Sequence, residues 1–151
     1  MKTLGRSISP VAVAGVLALA TLVACDEDTI VGLPEGAVEV VLAFDGYPQD
    51  TMRIAITDTA AIRLARAFVN TGQGPRMPVG RIVRGSGIDP RYPFHYEPGS
   101  VQFADVATEV CDCAPMRTDS AVLEFMKGAT GEANPTSAIW CPWGAYPVEV
   151  R

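Results

Sequence analysis

The stretch MRIAITDTAAIRLARAFVNTG, residues 52–72, carries two secondary-structure signals joined by one capping residue. Met52, Ile54 and Ile56 lie on one face of an extended chain, which predicts a half-buried β-strand. Asp58 can accept hydrogen bonds from the free amides at the start of a helix, and Gly72 is the residue type that ends one. The stretch therefore predicts a strand, a cap and a helix over residues 59–70.

The predicted helix has one apolar face, formed by Ala61, Leu64, Ala65 and Phe68. Such a helix packs on a sheet, and strand patterns lie on both sides of it. The remaining predicted elements are strands over residues 38–44, 80–85, 101–110 and 139–151 and a shorter helix over residues 119–127. The order β-β-α-β-β-α-β predicts a single α+β domain over residues 37–151, with one longer and one short helix on a mainly antiparallel sheet.

Two segments have turn or proline chemistry in place of a regular pattern. Residues 45–50 are predicted to form the turn between the first two strands. Residues 86–99 contain Pro90, Pro93 and Pro98. Proline has no amide hydrogen to donate to a strand ladder, so no regular element is expected there.

The N-terminal residues have the pattern of an export signal. Lys2 and Arg6 precede a nearly unbroken apolar stretch over residues 11–24. This is a signal-peptide length, well short of the ~20 residues with which a helix crosses a bilayer. The sequence Leu22-Val23-Ala24-Cys25 resembles the bacterial lipobox, in which cleavage precedes the cysteine and its thiol takes a diacylglycerol.

Residues 1–24 are therefore predicted to be a lipoprotein signal peptide, and Cys25 the lipidated first residue of the mature chain. Two or three acyl chains hold a protein on a membrane stably where one does not. Residues 25–36 include Asp26, Glu27 and Asp28 and are predicted to be a lipidated acidic tether. We expect an exported protein anchored to a bacterial membrane, on its periplasmic or outer surface.

The mature chain is acidic. Without residues 1–24 it has ten Lys and Arg against 17 Asp and Glu, a formal net charge of −7. Nucleic acid binds through phosphate contacts to Lys and Arg, so this charge argues against nucleic acid as a partner. The chain has no cofactor-binding loop motif, and no cofactor is expected.

A series of short motifs runs through the second half of the chain. They are Gly80–Gly85, Phe94-His95-Tyr96-Glu97-Pro98, Val101–Asp105, Glu109-Val110-Cys111-Asp112 and Cys141-Pro142-Trp143. Together with the unit from Ile54 to Ala67, they resemble a family of small secreted domains, the N-terminal-domain family named after a calmodulin-binding protein. The resemblance covers most of residues 52–146 and implies a secreted domain of this family.

Three cysteines remain in the mature chain besides Cys25: Cys111, Cys113 and Cys141. An exported chain meets an oxidising compartment, so a disulfide is expected. A bond between Cys111 and Cys113 would be strained, so the choice is between a Cys111–Cys141 and a Cys113–Cys141 bond. Local geometry barely separates these two. The resemblance implies the Cys111–Cys141 pair, since the family pattern has cysteine at position 111 and glycine at position 113.

His95 is the only histidine and the candidate general base, with Asp105 and Glu109 as candidate orienting carboxylates. For His95, however, we prefer a structural role in the proline-rich turn. Asp105, Glu109 and Asp112 offer the oxygen ligands that calcium uses, although solvated strand residues explain them better.

Two other groups of residues have ligand chemistry. Cys111, Cys113, Cys141 and His95 have the ligand types of a zinc site, but exported thiols tend to oxidise. The local basic patch consists of Arg76, Arg81, Arg84 and Arg91. It offers a surface for an anionic partner, and a solvated hairpin is the simpler interpretation.

Two classes of function remain. The first is a non-catalytic, lipid-anchored binding or interaction module of the cell envelope, with peptidase inhibition as a variant. The second is a metal-dependent or hydrolytic factor that uses His95 with Asp105 and Glu109. No nucleophile motif such as Gly-x-Ser-x-Gly is present, so the first class is preferred. Its expected partners are the membrane, through the lipid, and an envelope protein or small ligand.

Overall fold

The computed structural model describes residues 32–107 and 109–151, apart from the side chains of Pro48 and Glu109. The predicted signal peptide, Cys25 and the first part of the tether lie outside these residues. Within the described part of the chain, no helix has the length and apolar character needed to cross a membrane.

The described residues form two antiparallel sheets and two α-helices, which confirms the α+β prediction. The elements are β1 Val38–Phe44, β2 Tyr47–Ile56, α1 Thr59–Thr71, β3 Met77–Arg84, β4 Phe94–Tyr96, β5 Gln102–Ala104, a 3-10 helix Glu109–Cys111, α2 Asp119–Thr130, β6 Ser137–Trp140 and β7 Ala145–Val150. One sheet has the order β2-β1-β7. In the other, β3 pairs with β4, β5 and β6.

Helix α1 forms as its caps predict. The Asp58 side chain accepts a hydrogen bond from the amide of Ala61 at 2.7 Å. Gly72 adopts φ 67° at the other end, where its amide donates to the carbonyl of Phe68. The apolar face of the helix packs on β7, so the local signals and the packing agree.

Helix α2 is longer than predicted. The predicted end at residue 127, before Gly128, is wrong, because the helix continues to Thr130 and is capped by Gly131 at φ 72°. A Cβ added at Gly128 would meet no other atom, so this glycine is tolerated inside the helix without any packing role. The two helices have 13 and 12 residues, and the expected contrast of one longer and one short helix is wrong.

Three strand predictions need correction. The strand expected over 101–110 stops at Ala104, because β5 pairs with β3 only as far as Met77, where β3 begins. The proline-rich segment 86–99 contains β4, whose three residues pair with β3. The last segment is two strands, β6 and β7, which belong to different sheets.

The first hairpin is tighter than the turn predicted over residues 45–50. Strand β1 ends at Phe44 and β2 already begins at Tyr47. Asp45 and Gly46 alone connect them, with Gly46 at φ 79°. A two-residue hairpin needs positive φ, which glycine adopts without strain.

Trp140 lies where the two sheets meet. It comes from β6, is fully buried, and contacts the rings of Phe44, Phe94 and Tyr96 at centroid distances of 6.2, 5.0 and 5.4 Å. Its indole Nε1 donates to the carbonyl of Cys113 at 3.1 Å. Because Phe44 belongs to the other sheet, this aromatic cluster joins the two sheets into one core.

Candidate binding groove

A disulfide fastens the 3-10 helix to the turn between β6 and β7. Cys111 and Cys141 are bonded, with a Cα–Cα distance of 5.1 Å, as the family resemblance implied. The amide of Cys141 also donates to the carbonyl of Cys111 at 2.8 Å. The two segments therefore hold each other in place although 30 residues separate them in sequence.

Asp112, the residue after Cys111, is hydrogen-bonded to the turn that contains the exposed Trp143. Its Oδ1 accepts a hydrogen bond from the backbone amide of Trp143 at 2.9 Å. The Trp143 side chain is 43% exposed. Asp112 therefore positions the turn that presents Trp143, and its exposed carboxylate belongs to no ligand cluster among the described residues.

A groove of about 480 Å³ lies beside Trp143. Its walls come from the end of α1, the start of β3 and residues 105–107. The apolar side chains that line it are Phe68, Met77, Val106, Ala107 and Trp143. The volume falls within the range of about 300–1,000 Å³ that is typical of ligand sites.

Two charged side chains line the same groove. Arg76 forms a salt bridge with Asp45 at 3.1 Å, and its guanidinium lies 5.7 Å from the Tyr146 ring centroid. Asp105 is exposed and forms no hydrogen bond or ion pair with any residue that the structure describes. The Arg76 charge is therefore compensated within the fold, whereas the Asp105 charge is not.

His95 lies away from Asp105. On β3, Val83 pairs with His95, whereas Met77 pairs with Ala104, the neighbour of Asp105. These two positions are six residues apart, about 20 Å at ~3.3 Å per strand residue. The structure does not bring together the His95 and Asp105 side chains on which the hydrolytic alternative depends.

His95 has a structural contact instead. Its Nδ1 donates to the carbonyl of Gly85 at 2.8 Å, and its Cβ lies directly over Gly87. It borders a separate cavity of about 170 Å³, together with Arg53 and Pro98. These contacts connect β4 to the glycine-rich turn that follows β3.

The predicted zinc set does not form. Cys111 and Cys141 are bonded to each other, and Cys113 remains a half-buried thiol whose pKa is raised by burial and by the neighbouring Asp112. Within the ranges 32–107 and 109–151, no three His, Cys, Asp or Glu side chains are grouped to hold a metal ion. The Glu109 side chain, which belonged to the predicted calcium set, lies outside the description.

The predicted basic patch is dispersed. Arg76 pairs with Asp45 and Arg81 pairs with Glu97, at 3.1 and 3.6 Å. Arg91 forms a salt bridge with the buried Asp89 at 2.7 Å. Three of the four arginines therefore face carboxylates of the same domain, and a strong field for an anionic partner does not result.

Two important residues have little signal in the sequence. Asp89 is only 3% exposed and connects the 86–92 segment to β2. Its sequence context, Asp-Pro, indicates only a turn. Trp143 belongs to the Cys-Pro-Trp motif, and nothing else in the sequence indicates its place in the groove.

The fold and the groove define a small α+β domain with one disulfide and an open groove beside Trp143. A family model for an N-terminal domain named after a calmodulin-binding protein matches residues 38–151. The chain therefore belongs to this N-terminal-domain family, the one that its motifs resemble. No curated protein and no solved structure matches the chain.

Proposed function

We propose that this chain is a non-catalytic binding module of the bacterial cell envelope, anchored by a lipid on Cys25. In this proposal residues 1–24 are removed, residues 25–36 are the acidic tether, and the Trp143 groove faces a partner. The observation that carries the proposal is the groove itself, in which an exposed tryptophan is held by a disulfide and by Asp112.

The groove is suited to binding rather than to proton transfer. Interfaces are enriched in aromatic residues, and an exposed Trp beside Phe68 and Met77 offers apolar area to a partner. Asp105 contacts no described histidine or nucleophile that it could orient. The same groove therefore supports recognition better than hydrolysis.

The lipid anchor is tested by metabolic labelling with a palmitate analogue. We expect label on the wild-type chain and none on Cys25→Ser, because only the thiol takes the diacylglycerol. Label on Cys25→Ser, or its absence from the wild type, would show that the anchor is elsewhere or does not exist.

The binding surface is tested by site-specific crosslinking in intact cells. A photoreactive phenylalanine analogue at position 106, in the groove, is compared with one at position 148 of β7. Val106 and Val148 are both exposed apolar residues, at 83% and 42%, so the pair controls for non-specific capture. We expect a discrete protein adduct from position 106 only. Equal adducts from both positions, or none from position 106, would contradict the proposed surface.

A further inference from the structure

The groove carries an uncompensated negative charge. Asp105 has no ion-pair partner among the described residues, whereas the Arg76 guanidinium is held by Asp45 and by the Tyr146 ring. Asp112, beside Trp143, uses one carboxylate oxygen for the turn amide and pairs with no described cation. An occupant with a positive charge would therefore meet complementary charge at this end of the molecule.

The groove also offers an aromatic surface for a cation. Trp143 is partly exposed, and tryptophan binds cations on its ring face better than the other aromatic side chains do. A guanidinium stacks on such a ring and can donate hydrogen bonds to a carboxylate at the same time. Lysine is a compact charge and uses this combination less well.

We propose, on the basis of the proposed function, that the partner inserts an arginine of a peptide segment into this groove. The guanidinium lies on the Trp143 ring and donates to the Asp105 carboxylate. Apolar residues on either side of that arginine pack against Phe68, Met77 and Val106, which line the same groove. The occupant is thus a basic, partly apolar peptide segment.

The test uses the peptide acetyl-Ala-Leu-Arg-Leu-Ala-amide and its citrulline analogue, which has nearly the same shape and no charge. Trp140 is fully buried, so a change in tryptophan fluorescence on titration reports chiefly on Trp143. We expect the arginine peptide to bind about tenfold more tightly than the citrulline peptide, since an ionised pair forms stronger hydrogen bonds than a neutral one.

The Asp105→Asn variant of the full mature chain separates charge recognition from simple apolar contact. Asp105 is exposed, so the variant is expected to fold, and its melting temperature checks this. We expect its preference for the arginine peptide to fall from about tenfold to about threefold, because the contact of the guanidinium with the Trp143 ring remains. Glu132→Gln, which removes an exposed carboxylate outside the groove, is the matched control and should keep the tenfold preference.

Three outcomes would overturn this inference: equal binding of the two peptides by the wild type, no binding of either peptide, or an arginine preference that Asp105→Asn leaves unchanged. These outcomes differ from a failure of the proposed function. Protein adducts from position 106 without an arginine preference would leave the binding module standing and remove only its charge specificity.

Discussion

At the scale of single residues, Asp89 is the buried charge that closes the edge of the first sheet. Its carboxylate accepts the backbone amide of Arg53 at 2.9 Å and the Arg91 guanidinium at 2.7 Å. Arg91 and the Tyr92 hydroxyl then donate to the carbonyl of Thr51. Backbone groups on this edge of β2 are thus paired with side chains, which protects the edge from other strands.

Replacing Asp89 with Asn is expected to lower the free energy of unfolding by about 2–3 kcal/mol. The buried NH2 group of Asn would face the Arg53 amide and the Arg91 guanidinium, which are themselves donors. Chemical denaturation at pH 7 measures this. Glu97→Gln is the control, since the Glu97–Arg81 pair is exposed and at 3.6 Å contributes little. An equal loss in both variants would contradict the assigned role.

The same carboxylate predicts a dependence on pH. Burial raises the pKa of Asp89, but the hydrogen bonds from Arg91 and from the Arg53 amide outweigh it, so the pKa is lowered from 3.8. The unfolded chain therefore binds the proton more readily than the folded one. The contribution to stability is present above pH 3.8 and is lost as the pH falls through the folded pKa. Below pH 3.8, wild-type stability should fall more steeply than that of Asp89→Asn.

At the scale of elements, helix α2 contains one glycine, Gly128, and is capped by another, Gly131, and the two have opposite requirements. Gly131 caps the helix at φ 72°, a conformation that other residues reach only with strain, whereas Gly128 is helical and has open space beside it. Gly128→Ala should raise the free energy of unfolding by about 0.5–1 kcal/mol, because glycine is a poor helix former. Gly131→Ala should lower it by about 1 kcal/mol. Changes of the same sign in thermal denaturation would show that the helix ends elsewhere.

The disulfide acts on a pair of elements, the 3-10 helix and the β6–β7 turn. A bond across 30 residues restricts the unfolded chain and should contribute about 3 kcal/mol. Unfolding of the double variant Cys111→Ser, Cys141→Ser measures this loss. Cys113→Ser is the control and should cost less than about 1 kcal/mol, because its thiol is half-buried and unbonded. Peptide mapping that found a bond from position 113 to position 141 would reverse the assignment.

At the scale of the whole molecule, the two tryptophans have different roles. Trp140 is buried where the two sheets meet, whereas Trp143 is partly exposed and lines the groove. Trp140→Phe should reduce the free energy of unfolding by about 2 kcal/mol, since it leaves a cavity among three aromatic rings and removes the Nε1 hydrogen bond to Cys113. Trp143→Phe should change it by less than about 0.5 kcal/mol, because the side chain is exposed. A large loss in the Trp143 variant would mean that the groove is part of the core.

The sequence by itself determined the features with local causes. Alternation, the Asp58 cap and Gly72 placed helix α1 to within one residue of its observed end. The order of the patterns determined the α+β class, and the spaced motifs determined the family, which the match over residues 38–151 confirms. In each case the signal lies within a few residues of the structure it predicts, or in a pattern of residue types.

Only the tertiary structure decided where strands end and which side chains meet. Strand β5 stops at Ala104 because its partner strand begins at Met77, and no residue near 104 marks that point. The Phe94–Tyr96 strand forms in spite of its neighbouring prolines because β3 offers it an edge. Asp105 and Trp143 line one groove because a disulfide brings distant segments together. Contacts between residues far apart in sequence depend on the packing of the whole chain, and local patterns do not encode them.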